Sequence, residues 1–541
     1  MPSASNTATP SPINIAIIGA GSRGSAYASA LSSHPRARVI AVCDPHAGKR
    51  AALGGAHIWG ARDGSGPREG EAFADWREWV AWERGRRARA EGAAPKGVEV
   101  AGGREGGEGA EVVPPGADAV VVAVLDELHV EVVEGVSGLG GVHVLCEKPV
   151  DGSWEGCGRV WRALTSGPKG QDVLFGVCHV LRYSPHNRML RELVLGRDAV
   201  GEVLSVEHTE PVGWWHFSHS YVRGNWRREA STAPTLLTKS CHDIDFLMWM
   251  LCSPPPGSDR PPHLPAYVTS TGSLKFFKKS RKPADAGDAT NCLSCPIEHG
   301  CMWSAKKIYL ERHLLKGITG WPVKIVEPDV EDIFRDQGRD AAMKHVLGKL
   351  REDYGDETAE TERYGRPWFG RCVWEADNDV CDDQTVTITW EDDPLPNSDR
   401  SLADALKGRG AKTATMHMVA FTEKICERRG VIYGTEGEIS YDSATIKVHN
   451  FATGETEIHH PAQPGGGHGG GDAGLIYQFV AAVDAVKNQG MSIDEAQKVH
   501  IGCTLEEAIR SHGVVFAAEE ARRQRRVVEW ASWWRDHVGL L

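Results

Sequence analysis

The sequence predicts an α/β protein in which a parallel sheet with helices on both faces precedes a larger, mostly antiparallel sheet. Short apolar runs alternate with helix-length segments at residues 13–18, 38–43, 118–124 and 142–145. This alternation is typical of a parallel sheet. After about residue 180, strand-like segments follow one another with fewer helices between them, which favours antiparallel pairing.

Composition excludes several classes of protein. Hydrophobic residues make up 41% of the 541 residues, so the chain has enough apolar material for a sizeable core and is not disordered. No run of ~18 apolar residues is present, so we expect no membrane span. The net charge of -12 disfavours a nucleic-acid partner. The 13 cysteines are too sparse for a disulfide scaffold, and the N-terminus lacks a secretory signal, so we expect a cytoplasmic protein.

We predict three divisions of the chain. Residues 1–12 form a flexible N-terminus, residues 13–180 a nucleotide-binding domain, and residues 181–541 a substrate-binding α+β domain. A charged, glycine-rich stretch at 84–115 reads as a mobile surface insertion in the first domain. A cysteine-bearing segment at 278–375, too polar to pack, interrupts the second.

The second domain has its own element pattern. Residues 235–251 and the segments that begin near 473 and 493 read as helices. The predicted strands are 203–210, 266–277, 384–390, 413–421, 431–433, 438–441 and 445–448.

A Gly-x-Gly-x-x-Gly motif follows the first strand and opens a helix. Gly19, Gly21 and Gly24 permit a tight turn and close approach of a pyrophosphate to backbone N–H groups. We therefore expect a Rossmann dinucleotide-binding domain in which Ser22 and Arg23 also contact the cofactor. Asp44 ends the second strand, where a carboxylate accepts ribose hydroxyls and repels a 2′-phosphate, so NAD is favoured. NADP remains an alternative because four basic side chains lie nearby: Arg23, His46, Lys49 and Arg50.

Further motifs carry a resemblance to a known family. Asp126–His129 follows the strand at 118–124, and Cys146-Glu-Lys-Pro149 follows the strand at 142–145. His179–Pro185, Cys241–Asp245 and Gly434–Glu438 match as well. The chain resembles the glucose–fructose oxidoreductase/inositol dehydrogenase/rhizopine catabolism family (Gfo/Idh/MocA).

The resemblance implies several properties. The fold would be a Rossmann domain followed by an α+β domain with a large open sheet. His129, Glu147 and Lys148 would lie at the cofactor. The substrate would be a small sugar-like molecule or cyclitol, and the protein would be a homo-oligomer.

The resemblance places proton transfer at Lys148, with His242 as the second catalytic residue. A lysine near the positive nicotinamide is more easily deprotonated, which suits this role. The family commonly has Asp-x-Gly-x-His before this histidine, whereas this chain has Thr238-Lys239-Ser240-Cys241-His242. Thr238 replaces the usual carboxylate. We therefore include Lys239 as a catalytic candidate that orients the substrate.

Two segments are candidates for substrate binding. Residues 207–228 alternate aromatic and hydrogen-bonding side chains, as a carbohydrate pocket would. A glycine-rich loop at 465–471 brings backbone close to a ligand, unless Asp472 simply caps the following helix. The alternative for residues 207–228 is that their tryptophans belong to the hydrophobic core. The substrate candidates are Arg182, His216, His219, Tyr221, Arg223, Asn225, His468 and Asp472.

Cysteine spacing suggests a structural zinc site. Cys292, Cys295 and Cys301 have the spacing of a metal knuckle, and Cys372 is the natural fourth ligand. His299 competes for that place. Unmetallated thiols are the alternative, because one Cys-x-x-Cys is half of a zinc signature.

We carry three functional hypotheses. The first is an NAD-dependent dehydrogenase that transfers hydride between nicotinamide and a sugar-, sugar-acid- or cyclitol-like alcohol. The second is a redox-neutral, NAD-dependent glycosidase or lyase of the same family. The third is a non-catalytic, nucleotide-sensing regulator, which the presence of both Lys148 and His242 disfavours.

Overall fold

The computed structural model describes residues 10–60, 62, 66–93, 113–167, 170–255, 258, 260–396, 401–464 and 467–539. These residues form one six-stranded sheet and one nine-stranded sheet. The first is entirely parallel, and the second is antiparallel except for one pair. This arrangement confirms the predicted fold class. No helix in the described part of the chain is long and apolar enough to cross a membrane.

The first sheet has the strand order β3-β2-β1-β4-β5-β6. The order reverses between β1 and β4, and such a reversal creates a ligand crevice at the carboxyl ends of the strands. Its central strands β1, β4 and β5 are buried along their whole length, which explains their continuous apolar runs. The elements of this part are β1 (Ile13–Ile18), α1 (Ser22–Ser33), β2 (Ala37–Cys43), α2 (Ala47–Gly54), β3 (Ala72–Phe73), α3 (Trp76–Ala93), β4 (Ala119–Val122), α4 (His129–Ser137), β5 (His143–Cys146), α5 (Trp154–Thr165) and β6 (Phe175–Val177).

The second sheet has the order β14-β13-β12-β11-β7-β10-β9-β8-β15. Its elements are α6 (Pro185–Arg191), β7 (Val203–Pro211), α7 (Trp214–Phe217), α8 (Thr235–Thr238), α9 (Cys241–Leu251), β8 (Tyr267–Ser273), α10 (Val323–Val326), α11 (Val330–Gln337), α12 (Arg339–Arg351), α13 (Glu360–Gly365), β9 (Asp383–Trp390), α14 (Leu402–Leu406), β10 (Lys412–Val419), β11 (Arg429–Gly434), β12 (Gly437–Tyr441), β13 (Ile446–Asn450), β14 (Thr456–His459), α15 (Gly471–Gln489), α16 (Ile493–Ala496), α17 (Leu505–Gln524), β15 (Val528–Glu529) and α18 (Trp530–Val538).

Alternate side chains of β9 and β10 are buried, as expected for a sheet with one covered face. The one parallel pair, β7 with β10, lies at the centre of this sheet. The carboxyl ends of both strands therefore reach the same edge of the sheet. Glu210, the penultimate residue of β7, is completely buried at this edge.

The C-terminal helices return to the first sheet. Helix α15 packs against α1, and Arg36 Nη2 lies 2.6 Å from Asp484 Oδ1. The side chain of Gln497 accepts a hydrogen bond from Phe175 N (3.1 Å) and donates one to Phe175 O (2.7 Å), so it pairs with the outer strand β6. Helix α15 and Gln497, which the sequence analysis assigned to the second domain, thus pack against elements of the nucleotide-binding domain.

The structure differs from several predicted boundaries. Helix α3 continues to Ala93, so residues 84–93 of the predicted insertion are helical, and residues 94–112 of it lie outside the described residues. The predicted helix at 235–251 is broken at Lys239 and Ser240 into α8 and α9. Strand β8 ends at Ser273.

The segment 278–375 forms a small hydrophobic core of its own. Fourteen buried residues make up this cluster, among them Tyr309, Val330 and Leu350. The expectation that this segment is too polar to pack was wrong, because its apolar residues are spread over several short helices and do not form one visible periodic run. They meet only after α11 and α12 fold back on each other.

Arg182 forms a buried ion pair beneath the second sheet. Its Nε and Nη2 each donate to Asp245 in α9 at 2.8 Å, and Ser511 of α17 donates to the same carboxylate. Both side chains are nearly inaccessible to solvent. Arg182, a predicted substrate contact, therefore joins three elements of the interior.

We expect Arg182→Ala to lower the free energy of unfolding by about 3–5 kcal/mol, because it leaves the charge of Asp245 buried and unpaired. Chemical denaturation measures this loss. Arg188→Ala, which removes an exposed arginine from α6, is the matched control and should change stability by less than about 0.5 kcal/mol. A loss of under ~1 kcal/mol for Arg182→Ala would contradict the buried pair.

Two buried histidines are held neutral in the folded chain. Burial lowers the pKa of His179 to about 3, and burial together with the neighbouring Arg223 lowers the pKa of His219 to about 3. His219 stacks on Phe369 and shares a 2.9 Å hydrogen bond with Tyr309 Oη. In the unfolded chain both side chains return to the ordinary histidine pKa of about 6.5.

We therefore expect the free energy of unfolding to fall as pH decreases from 6.5 towards 4. Above pH 6.5 neither state binds these protons, whereas below it only the unfolded chain does. The loss is about 2 kcal/mol per histidine at pH 5. Denaturation at several pH values should show a shallower slope for His219→Gln and an unchanged slope for His460→Gln, a control at an exposed position. Constant stability between pH 7 and pH 5 would refute this linkage.

Candidate functional site

The glycine motif forms a turn that leaves room for a ligand. Gly19 has φ +102°, and a Cβ there would lie 2.4 Å from Ala123 O. A Cβ on Gly24 would lie 1.8 Å from Gly19 O, so this position allows α1 to pack on the turn. A Cβ on Gly21, in contrast, would have no neighbour within 4 Å. The space beside Gly21 is open to a pyrophosphate, and the geometry matches the three roles of such glycines.

Helix α1 begins at Ser22, and no side chain caps its N-terminus. Its first backbone N–H groups are therefore left for an anionic ligand. Asp44, at the end of β2, accepts hydrogen bonds from Ala20 N (2.7 Å) and His46 N (2.8 Å). These contacts orient its carboxylate beside the glycine turn and leave lone pairs for ribose hydroxyls.

Arg23 connects three distant parts of the chain. Its Nε donates to Glu147 Oε1 (2.7 Å), and its two terminal nitrogens donate to Asp472 at 2.8 and 2.9 Å. Glu147 also accepts hydrogen bonds from Tyr27 Oη and Lys148 N. Glu147 and Asp472, predicted as cofactor and substrate contacts, are thus both ion-pair partners of Arg23. Asp472 is not the side-chain cap of α15, which has none.

Lys148 lies in the turn that follows β5. His129, which was predicted to lie at the cofactor, supports this turn. The His129 ring is fully buried, and its Nδ1 lies 2.7 Å from Pro149 O. The Lys148–Pro149 peptide bond is cis. Lys148 Nζ donates to the carbonyl oxygen of Thr238, at the end of α8, over 2.6 Å.

His242 lies beside Lys148 in the first turn of α9. Its ring centroid is 5.9 Å from that of His179 and 5.8 Å from that of His468. His468 has left-handed backbone (φ +53°), and its Nδ1 lies 3.0 Å from Asp472 Oδ1. Lys148, His242, His468 and Asp472 therefore lie near one another.

His242 is neutral and incompletely paired. Burial lowers its pKa well below the ordinary value, and the charge of Lys148 lowers it further. Its Nδ1 is buried without a hydrogen-bond partner among the described residues. Thr238, which replaces the family's usual carboxylate, donates instead to Pro234 O. A buried polar atom without a partner is costly, so this nitrogen is suited to a ligand group.

A second polar cluster surrounds Lys239. Lys239 Nζ lies 3.1 Å from Glu210 Oε1 and 2.9 Å from Cys426 Sγ. Arg428 Nε lies 3.1 Å from Glu210 Oε2 and 2.6 Å from Asp243 Oδ1. Two cations thus face two carboxylates, and the cluster is electrically balanced.

Lys239 remains protonated in this cluster. Burial acts to lower its pKa, but Cys426 and Glu210 more than offset this, and the pKa lies above the ordinary lysine value. His216 is 3.8 Å from Cys426 Sγ, and burial together with Lys239 lowers its pKa well below the usual range. This part of the site holds a fixed positive charge beside a neutral imidazole.

The aromatic turn, residues 212–228 after β7, contributes one wall of the candidate site. Tyr221 stacks on Trp226 with ring centroids 5.9 Å apart, and Trp226 Nε1 donates to Asp126 Oδ2 (2.8 Å). Asp126 follows β4, so this contact joins the turn to the nucleotide-binding part. Asn225 is exposed.

Two predicted substrate residues point elsewhere. His219 packs against Tyr309 and Phe369, and Arg223 donates to Arg371 O (2.6 Å) and Trp303 O (2.7 Å). Both belong to the interior around the segment 278–375. We therefore leave them, with Arg182, out of the proposed substrate site.

The predicted metal ligands do not form a preassembled site. Among the described residues, no three His, Cys, Asp or Glu side chains are grouped to hold a metal ion. Cys292, Cys295, Cys301 and Cys372 nevertheless line one cavity of about 20 Å³. The competing ligand His299 is not among the residues that line it.

Sequence reasoning missed the partners of Lys239. Glu210, Cys426, Arg428 and Asp243 come from three separated parts of the chain, and none belongs to a nucleotide motif. One signal was present: Glu210 ends a predicted strand, where ligand-binding side chains collect in α/β sheets. Pairing it with Lys239 requires knowledge of how β7 and α8 pack.

Comparison with known proteins identifies the N-terminal part. A family model described as "Oxidoreductase family, NAD-binding Rossmann fold" (GFO_IDH_MocA) matches residues 13–170. No curated protein matches the chain.

Solved structures resemble nearly the whole chain. An oxidoreductase described as NADPH-dependent and putative, from Desulfitobacterium hafniense DCB-2, has 15% identity and a TM-score of 0.54, covering 97% of this chain and 99% of its own. A levoglucosan dehydrogenase in complex with NADH and levoglucosan has 14% identity and a TM-score of 0.54, covering 96% and 99%. An oxidoreductase from Agrobacterium radiobacter in complex with NAD+, L-tartaric acid and magnesium has 12% identity and a TM-score of 0.54, covering 96% and 99%.

At these identities the structural likeness establishes the fold alone. The likeness to the family rests on the matched residues, which contain the glycine turn, Asp44 and Lys148. Residues 13–170 are thus similar to the Gfo/Idh/MocA oxidoreductase family, whose model is described as an NAD-binding Rossmann fold.

Proposed function

We propose that the protein is an NAD-dependent dehydrogenase that oxidises a CH–OH group of a sugar- or cyclitol-like alcohol. The observation that carries this proposal is the convergence of Lys148 and His242 at the carboxyl end of the parallel sheet, beside the glycine turn. Structural relatives include a levoglucosan dehydrogenase, which supports a sugar-like substrate.

The cofactor fits the residues present. The open space at Gly21, the uncapped start of α1 and the oriented carboxylate of Asp44 are suited to a pyrophosphate and a ribose. When bound, nicotinamide supplies a hydride acceptor at C4. Asp44 would repel a 2′-phosphate, which favours NAD over NADP.

Lys148 and His242 divide the handling of the hydroxyl proton. The Lys148 ammonium group is anchored by the carbonyl of Thr238 and retains donors for a substrate oxygen. His242 is neutral, so one of its ring nitrogens accepts a hydrogen bond. The two groups therefore orient the hydroxyl and provide a path for its proton.

Lys239 has a positioning role in this proposal. Its raised pKa keeps the amine protonated, so it does not readily give up a proton, and Glu210 lies 3.1 Å from its Nζ. Because Glu210 and Asp243 balance Lys239 and Arg428, the wall does not require an acidic substrate. Neutral polyols suit such a wall, and His216, Tyr221 and His468 provide further polar or aromatic contacts.

None of the described cysteines forms a disulfide bond, which supports a reducing, cytoplasmic setting. By family resemblance we also expect a homo-oligomer.

We expect Gly21→Ala to weaken NAD binding by about tenfold, or about 1.4 kcal/mol, without loss of stability. The added methyl group meets no protein atom within 4 Å but occupies the space that we assign to the pyrophosphate. Calorimetric titration with NAD and NADP tests the affinity and the preference. Gly85→Ala, whose Cβ also meets nothing, is the control. Equal NAD affinity in Gly21→Ala and the native protein would place the cofactor elsewhere.

We expect Lys148→Met to lower kcat/KM by about 10²–10⁴-fold, the usual contribution of a proton-transferring group. The assay is NADH absorbance with a panel of sugars, sugar acids and inositols. Lys447→Met, which changes an exposed lysine of β13, should leave turnover unchanged. Full turnover by Lys148→Met would refute its role. Glycoside cleavage without net NADH would instead establish the redox-neutral alternative, and NAD binding without any turnover would establish the regulator.

A further inference from the structure

Four cysteines that are distant in sequence line one cavity. Cys292, Cys295 and Cys301 approach it from one loop, and Cys372 approaches it from a second. An isolated β-bridge between Asn291 and Arg371 brings the two loops together. Backbone hydrogen bonds of 2.8 Å from Cys292 N to Gly370 O and from Cys372 N to Thr290 O flank this bridge. The loops are therefore fixed relative to each other by backbone contacts.

The sulfur of Cys292 accepts a backbone hydrogen bond, because Ala305 N lies 3.4 Å from Cys292 Sγ. A donor of this kind stabilises a sulfur that carries negative charge.

A buried arginine beside these thiols lacks a carboxylate partner. Arg223 is 1% exposed, and its Nη2 lies 3.4 Å from Cys292 Sγ. Its Nη1 has no hydrogen-bond partner, and no carboxylate of the described residues lies within ion-pair distance. The neighbouring Arg227, in contrast, pairs with Asp377 at 2.8 Å. Burial of a charge without a counter-charge is strongly unfavourable.

Free thiols would not supply this counter-charge. A protonated thiol carries no charge and cannot balance the guanidinium group of Arg223. Coordination to a divalent cation deprotonates a thiol outright. Four thiolates around one Zn²⁺ carry a net charge of −2, which Arg223 partly offsets.

We propose that this cavity binds one zinc ion through the thiolates of Cys292, Cys295, Cys301 and Cys372, with Arg223 as the buried counter-charge. Four thiols release four protons to solvent as the four Zn–S bonds form, and no electron is transferred. The cavity of about 20 Å³ has room for one atom-sized guest. The thiols are not grouped for a metal as they stand, so binding draws the sulfur atoms inward to about 2.3 Å from zinc.

The site braces one wall of the proposed active site. Arg223 lies in the aromatic turn that also carries His216 and Tyr221. Its guanidinium group donates hydrogen bonds to the carbonyl oxygens of Trp303 and Arg371. Zinc would therefore lock the segment 278–375 against that turn. The metal binding itself does not depend on the proposed dehydrogenase activity, and a failure of either proposal leaves the other standing.

The test is metal analysis of the full chain expressed with zinc in the medium, without added chelator. We expect about one zinc per chain and an X-ray absorption spectrum with four sulfur neighbours at about 2.3 Å. Iron in place of zinc, no metal, or a shell that contains nitrogen or oxygen would overturn the four-thiolate site.

Variants provide a second, independent measurement. Cys295→Ser and Cys301→Ser change half-exposed residues of the cavity and should lower the zinc content to less than half of one equivalent. Cys157→Ala, which changes a buried cysteine of α5 outside the cavity, should retain zinc. In the native protein, alkylation of the four cysteines should be slow until a chelator removes the metal. Unchanged zinc in both serine variants, or equally fast alkylation with and without chelator, would overturn the assignment.

Discussion

The ion-pair network of Arg23 is the contact on which the geometry of the site depends. One guanidinium group of α1 joins Glu147, which precedes Lys148, to Asp472, which begins the C-terminal part of the chain. Its planar donors match two carboxylates at once, which a lysine could not do. Glu147 and Asp472 are both largely buried, and without Arg23 they would face each other as uncompensated anions. The glycine turn, the Lys148 turn and His468 are therefore held in one arrangement.

Around this frame, the site separates fixed charges from neutral imidazoles that can accept hydrogen bonds. Lys239 and Arg428 are locked into pairs with Glu210 and Asp243, and their protonation does not change in the physiological range. His242 and His216 are kept neutral by burial and by nearby cations. Low-dielectric surroundings strengthen each of these effects. Such a site can handle a hydroxyl proton without competing changes in its own charge.

Local motifs were predictable because their chemistry lies in consecutive residues. The strand, glycine turn and helix at 13–33 and the Lys148 turn needed no knowledge of long-range packing. Pairings between distant elements were not predictable: Lys239 with Glu210, Arg182 with Asp245, and Arg223 with the cysteine cavity. In each case the residue type indicated polarity, and only the packing decided whether the partner was a ligand or another side chain. The core of the segment 278–375 was not predicted either, because short helices contain no long periodic run of apolar residues.

The hydrogen bonds between Gln497 and Phe175 have a consequence for biosynthesis. During translation, β6 is made more than three hundred residues before the side chain that pairs with it. Until the last helices emerge, that strand presents an unpaired edge, the kind of surface through which chains aggregate. The nucleotide-binding part of a nascent chain therefore cannot reach its final form early. Its completion waits until Gln497 has left the ribosome.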